Sequence, residues 1–204
     1  VHPWLDTRQY AQSSAGTRAA LAKIYASTKA EGREFFSYSG CVYEQHHLNR
    51  YNAGLNIWLC GWEGKYFWNL ASQRGNAFND FDRPEKDAMA LYHHEGEYIP
   101  TLQLEALREG IDDLRYLTTL EKLLAEAAQS PRLPAQQRAA EITRELAALK
   151  ESLPLQIIGG DSVNGNFSNN GRSSWDCRNF QRYRWRFASL ALQLNFDDGG
   201  LTTE

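Results

Sequence analysis

The sequence is poor in cysteine and has no long apolar run. Its three cysteines, Cys41, Cys60 and Cys177, are an odd number at wide spacing, which argues against a disulfide framework. No stretch approaches the ~20 apolar residues that a membrane span needs, so we expect no membrane partner. Because the net charge is −3, we do not expect nucleic acid to be a partner either.

Methionine is almost absent, whereas aromatic residues are abundant. Met89 is the only methionine and the chain begins Val-His-Pro, so we expect Val1 to lie within a longer natural protein. Aromatic residues make up 12% of the chain, with six Trp and ten Tyr. Such side chains fill cores, and they also line pockets that hold flat apolar ligand faces.

Strand and helix patterns alternate over the first two thirds of the chain. Short apolar or aromatic runs between polar residues indicate strands, and apolar residues three or four positions apart indicate helices. The predicted strands are 1–5, 34–40, 65–71 and 88–93. The predicted helices are 17–30, 44–60, 100–128, 135–152 and 177–194. This alternation favours parallel βαβ units.

The longest predicted helix carries a dense run of charges. Glu105, Arg108, Asp112 and Arg115 follow one another at spacings of three or four, where helix side chains meet, so we interpret these charges as a solvated face. The predicted buried stripe consists of Leu104, Leu107, Ile111, Leu114 and Leu117. Gly110 costs about 1 kcal/mol relative to Ala inside a helix, which indicates that another segment packs closely there.

The same helix carries a resemblance to a known family. The sequence IPTLQLEALREGIDDLRYLTTLEKL (99–123) resembles the closing segment of bacterial (β/α)8 domains similar to glycoside hydrolase family 123. The sequence RYNAGLNIWLCGWEGKYFWNLA (50–71) resembles the helix and strand that precede it. The resemblance implies an α/β fold in which residues 1–129 form the C-terminal half of a TIM-type (β/α)8 barrel, with the predicted strands as the last four of eight. Residues 130–204 are then a helical extension packed on the barrel.

The resemblance also implies a reaction. Similar enzymes cleave N-acetylhexosaminides, and an adjacent Asp-Glu pair orients the substrate's own acetamido group and supplies the proton. Glycoside hydrolysis usually needs two carboxyl groups beside the scissile bond, and this chain contains no Asp-Glu dipeptide. We therefore expect no catalytic residue here, and expect the acid/base pair to lie upstream of Val1. The expected partners are a carbohydrate substrate and the upstream half of the barrel, with no cofactor and no metal.

Substrate contacts are expected at the carboxyl ends of the strands, where active sites of such barrels lie. The candidate residues are Trp4, Asp6, Tyr38, Tyr43, Glu44, Trp68, Asn69, Tyr92 and His93. Aromatic rings at these positions suit the apolar face of a sugar, and the polar side chains suit its hydroxyl groups. The alternative is that each aromatic side chain simply packs between the sheet and its helices.

Rival sites have weaker patterns. Adjacent His46 and His47 point about 100° apart on a helix and do not easily share one metal ion. The glycine-rich loop 159–174 lacks the phosphate-binding Gly-x-x-x-x-Gly-Lys order. The arginines of 178–186 alternate with aromatic residues, which fits either an amphipathic helix with its aromatics inward or a ligand-binding patch. A non-catalytic module that binds carbohydrate or protein is the alternative to the glycosidase fragment.

Overall fold

The computed structural model of the chain describes residues 14–40, 46–68, 70–72, 75–76, 78–79, 88–154 and 175–196. These residues divide into two compact units. The first unit contains the described residues up to 111, and the second contains residues 112–154 and 175–196. The predicted strand at 1–5 lies outside the described residues.

The first unit contains one parallel strand pair with a helical crossover. Strand β1 (Phe36–Gly40) pairs with β2 (Gly64–Trp68) in parallel, from Phe36 opposite Gly64 to Gly40 opposite Trp68. Helices α2 (His46–Ala53) and α3 (Leu55–Cys60) lie between them in sequence. Helix α1 (Ser14–Ala30) precedes β1. The predictions of a helix at 17–30 and strands at 34–40 and 65–71 are confirmed, within a few residues at the ends.

Two glycines explain why the predicted helix 44–60 is divided. A Cβ atom on Gly54 would collide with the carbonyl oxygen of Gly110, and a Cβ on Gly110 would collide with that of Arg50 and lie 2.9 Å from the Cβ of Ala53. Gly54 separates α2 from α3 at this contact. The backbones of the two segments therefore touch directly, as the glycine in the long helix indicates from sequence.

Glu63, just before β2, connects three segments of the first unit. Its carboxylate accepts hydrogen bonds from the backbone N–H of Phe35 (2.6 Å) and from the hydroxyl of Tyr25 (3.4 Å), and it forms an ion pair with Lys29. Burial raises the pKa of Glu63, but the hydrogen bonds from Lys29 and Phe35 outweigh burial and hold this pKa below its ordinary value. Helix α1 is thereby linked to the start of β1 and to the α3–β2 connection.

The remaining strands overturn the predicted barrel. Strand β3 (Ala71–Ser72) pairs antiparallel with β4 (Ala88–Met89), and β5 (Leu91–His94) pairs antiparallel with β6 (Glu97–Pro100). The predicted strand 88–93 is thus two short strands in separate antiparallel sheets. Since β1 and β2 are the only parallel pair among the described strands, the C-terminal half of a (β/α)8 barrel with four parallel strands is wrong. The described chain is mostly helical.

Helix α4 (Leu102–Ala128) confirms the longest predicted helix but buries a different stripe. The buried residues are Ala106, Gly110, Asp113, Leu117, Leu120 and Leu124. Only Leu117 of the predicted stripe is buried, and Ile111 is 48% exposed. The interpretation of the charges as surface pairs holds for Glu105–Arg108 at 2.8 Å and Asp112–Arg115 at 2.9 Å.

The second unit is built from the rest of α4, α5 (Leu133–Ser152) and α6 (Cys177–Phe196). Helix α5 starts with Pro134 in its first turn, where a missing N–H costs nothing. The apolar core contributed by α5 and α6 repeats every three or four residues, as expected for packed helices. It consists of Ala135, Ala139, Ile142, Leu146, Phe180, Tyr183, Phe187, Leu190 and Leu194.

Polar contacts connect the three helices of the second unit. Asp113 of α4 is 2% exposed and accepts a 2.6 Å hydrogen bond from Arg184 of α6. The hydroxyls of Ser152 and Tyr183 lie 3.3 Å apart and link α5 to α6. None of the helices in the described ranges combines the length and the apolar character needed to cross a bilayer.

Candidate functional site

Four of the nine predicted contact residues lie within the described part of the chain. Tyr38 in β1 is half-buried and pairs in register with Tyr66, while Trp68 ends β2 opposite Gly40. Tyr92 and His93 lie in β5. The other five, Trp4, Asp6, Tyr43, Glu44 and Asn69, lie outside the described residues. No strand pairing among the described residues joins β1–β2 to β5–β6, so the structure gives no common strand edge to the two groups.

Tyr92 and His93 point to opposite faces of the β5–β6 hairpin, because neighbouring side chains alternate along a strand. The ring of His93 lies 5.2 Å from that of its cross-strand partner Tyr98. The ring of Tyr92 instead lies 4.9 Å from that of Phe78. The two residues predicted to act together at a strand end therefore cannot contact the same small ligand from one face.

Phe78, Tyr92 and His94 form an aromatic group on one face of the hairpin, which we call the Phe78 cluster. The Phe78 ring lies 4.9 Å from that of Tyr92 and meets the His94 imidazole edge-on at 5.4 Å. Phe78 is 54% exposed, and His94 is exposed as well. These rings pack on one another and present an aromatic, largely apolar patch to solvent.

The hairpin turn places two carboxylates beside the Phe78 cluster. Glu95 has a φ of 49° and Gly96 a φ of 85°, the two left-handed positions that a tight two-residue hairpin turn requires. The Glu95 carboxylate lies 3.8 Å from Nε2 of His94. Glu97 pairs across the strands with His94, so its side chain leaves the hairpin on the cluster's face. Apolar rings and hydrogen-bond acceptors thus stand side by side.

Local sequence patterns do not indicate Phe78 as a site residue, because it lies in a segment, 73–87, with the composition of an Asn- and Asp-rich loop. The one hint in the sequence is that Phe78 is an aromatic residue among many turn-forming residues. The contact with Tyr92 depends on the return of the chain after the loop, which local sequence patterns do not encode.

A second feature of the first unit is a buried amine. Lys65 in β2 keeps part of its side chain at the surface, but its Nζ atom is buried without a hydrogen-bond partner among the described residues. Its register partner Ser37 in β1 has a buried hydroxyl that also lacks a hydrogen-bond partner among the described residues. The aromatic rings of Trp62 and Phe67 lie 5.6 and 5.7 Å from Nζ.

Burial lowers the pKa of Lys65 to about 7, against a smaller opposing effect of Cys60. An amine with this pKa is partly neutral near pH 7 and is a stronger nucleophile or base than a surface lysine. The signal in the sequence was a single lysine inside the aromatic strand GKYFW. Since no carboxylate partner for Lys65 occurs among the described residues, the arrangement offers a reactive amine without the rest of a catalytic site.

Metal chemistry finds little support in the described part of the chain. There, no group of three or more His, Cys, Asp or Glu side chains could hold a metal ion. The rings of His46 and His47 lie 4.0 Å apart at an angle of 53°, next to each other at the start of α2. Cys60 and Cys177 are not disulfide-bonded.

Comparison of the chain with protein-family models, with curated proteins and with solved structures finds no match. The resemblance to glycoside hydrolase family 123 therefore stays a prediction.

Proposed function

We propose that this chain binds glycans through the Phe78 cluster of the β5–β6 hairpin. The observation that carries the proposal is the exposed rings of Phe78 and His94 around the half-buried ring of Tyr92, with the carboxylates of Glu95 and Glu97 beside them. The proposal retains the carbohydrate ligand implied by the sequence resemblance. It does not depend on the barrel.

The chemistry of this surface matches the two sides of a sugar. A pyranose ring has an apolar face of C–H groups, which covers an aromatic ring and removes both from water. Its edge carries hydroxyl groups, which donate hydrogen bonds to carboxylates and to imidazole nitrogen. An apolar ligand would leave the two glutamates without a role, and a simple cation would not need the rings.

The surroundings of the glutamates favour binding of a glycan over its hydrolysis. The carboxylates nearest the Phe78 cluster, Glu95 and Glu97, are exposed on a hairpin and not enclosed in a cleft. Glycosidases depend on one carboxyl group with a raised pKa, which comes from an apolar, enclosed environment. This favours the non-catalytic form of the carbohydrate hypothesis for the described residues.

The test is a calorimetric titration of the 204-residue chain with N-acetylglucosamine oligomers, N-acetylgalactosamine and a cello-oligosaccharide. We expect one of these to bind, and we expect Phe78→Ala to weaken its binding about tenfold because a stacking surface is lost. Tyr98→Ala is the matched control. Tyr98 is 65% exposed on the opposite face of the same hairpin, so its loss should leave the affinity unchanged within about twofold.

Two results would contradict the proposal. One is the absence of binding to every sugar in the panel. The other is equal weakening by Phe78→Ala and Tyr98→Ala, which would mean that the hairpin supports a site elsewhere. A parallel assay with aryl N-acetylhexosaminides separates binding from hydrolysis, since turnover by this chain would add an enzymatic activity that the exposed glutamates do not explain.

A further inference from the structure

A cavity in the second unit has a different chemistry from the hairpin. One side of α6 presents Arg182, Arg186 and Ser189 at spacings of three and four residues, with Trp185 beside them. Together with Leu149 of α5 and the ring of Tyr183, they line a cavity of about 380 Å³. This volume falls at the lower end of the range for small-molecule sites, about 300–1,000 Å³.

The two arginines of this cavity are in different electrostatic situations. Arg186 forms an ion pair with Glu145 of α5, so its charge is neutralised within the protein. The guanidinium of Arg182 lies 5.6 Å from the centre of the Tyr183 ring, and the described residues give it no carboxylate partner. The cavity therefore holds one uncompensated positive charge, next to a ring that is itself fixed by the Tyr183–Ser152 contact.

Trp185 supplies a flat apolar surface at the same place. It is 71% exposed, whereas Phe180, Tyr183 and Phe187 of the same helix are buried in the core. The expectation that the aromatics of this helix pack inward is thus wrong for Trp185. The exposed indole beside an arginine offers a ligand both an aromatic face and a positive charge.

We propose that this cavity binds an acidic sugar, a pyranose ring with one carboxylate, as in a hexuronate. The carboxylate pairs with Arg182, whose planar fork can hold both oxygens. The C–H face of the ring covers Trp185, and a hydroxyl group bonds Ser189. An inorganic anion would use the charge but leave the indole exposed, and a neutral sugar would leave the charge unused.

This inference is independent of the hairpin, because it concerns other residues and another ligand charge. The experiment is a calorimetric titration of the 204-residue chain with glucuronate, alongside glucose, benzoate and sulfate. We expect glucuronate to bind and glucose to bind at least about tenfold more weakly, since it lacks the charged hydrogen bond. Arg182→Gln should weaken glucuronate binding by about tenfold for the same reason.

Arg178→Gln is the matched control, because Arg178 lies one turn earlier on the same helix and does not line the cavity. Its binding should stay within about twofold of the unaltered chain. Equal binding of glucose and glucuronate would overturn the proposal, as would equal weakening by the two arginine variants. Binding of sulfate or benzoate as tight as that of glucuronate would also overturn it, since the site would then recognise an anion or an aromatic acid and not a sugar.

Discussion

The two units differ at a few buried polar atoms: most are hydrogen-bonded in both units, and the two that lack a hydrogen-bond partner among the described residues lie in the first. In the second unit, the buried carboxylate of Asp113 is paired with Arg184. In the first unit, the Nζ of Lys65 and the hydroxyl of Ser37 are buried on paired strands without partners among the described residues. An unpaired buried polar atom costs about 1–3 kcal/mol, and more for a charged group.

This difference follows from how the two units are built. Helices satisfy their own backbone, so the side chains of α5 and α6 are left to pack and to pair across the bundle. The first unit instead uses short two-stranded pairs, which are marginally stable alone and need additional packing. It also places rings such as those of Phe78 and Tyr98 in water.

The greatest loss in the free energy of unfolding is expected for a substitution in the core of the second unit. Phe187 is fully buried, and Phe187→Ala should lower the free energy of unfolding by about 4 kcal/mol through the cavity that it leaves. Trp185→Ala, two residues earlier on the exposed side, should change it by less than about 0.5 kcal/mol. Urea unfolding followed by far-UV circular dichroism measures both. Similar losses for the two variants would mean that α6 does not pack as described.

The next effect has the opposite sign and lies in the first unit. Lys65→Met removes an unpaired buried amine while keeping the length of the side chain, so we expect a gain of about 3 kcal/mol in the free energy of unfolding at pH 7. Because the folded pKa of about 7 lies below the ordinary value of 10.5, the unfolded chain binds this proton more tightly. The stability contributed by Lys65 therefore rises as the pH increases from 7 towards 10.5.

The pH dependence of that gain provides its control. The advantage of Lys65→Met over the unaltered chain should shrink between pH 7 and pH 10, because the proton that the folded amine has lost stabilises the unfolded chain less as the pH approaches 10.5. Lys122→Met, at an exposed position of α4, should change the free energy of unfolding by less than about 0.5 kcal/mol at either pH. A loss of stability in Lys65→Met at pH 7 would show that Nζ is solvated or paired.

A smaller loss in the free energy of unfolding is expected for a substitution at the contact between Gly54 and Gly110. By helix propensity alone, Gly110→Ala should stabilise α4 by about 1 kcal/mol. The added methyl group instead collides with the backbone of Arg50, so we expect a net loss of about 2 kcal/mol. The sign of the change in urea unfolding decides between the two, and a gain would mean that α2 and α4 do not touch there.

Local patterns predicted the helices well and the sheet pairing poorly. The helices α1, α4, α5 and α6 follow from apolar spacing, which is a property of neighbouring residues. The buried stripe of α4 was placed on the wrong face because Gly110 and Asp113 turn that face inward. A glycine and an aspartate do not look like core residues, and their partners, Gly54 and Arg184, lie far away in sequence.

The prediction of a half-barrel was wrong for a related reason. An alternation of strands and helices favours parallel pairing, and β1 with β2 follows that rule. The segment after residue 88, however, reverses at Glu95 and Gly96 and pairs with itself. Glu-Gly is not among the dipeptides that strongly indicate such a turn. Tyr92 could be proposed as a ligand contact from its sequence, but Phe78 could not, because their ring contact joins residues 14 positions apart, which local patterns do not encode.

The position of Glu63 makes the connection between α1 and the β1–β2 pair sensitive to acid. A single carboxylate there connects α1, the start of β1 and the approach to β2. Because its pKa is lowered in the folded chain, its contribution is complete above the ordinary value of 4.5 and is lost as the pH falls through the folded pKa. As the pH falls below 4.5, therefore, the link from α1 to β1 should weaken.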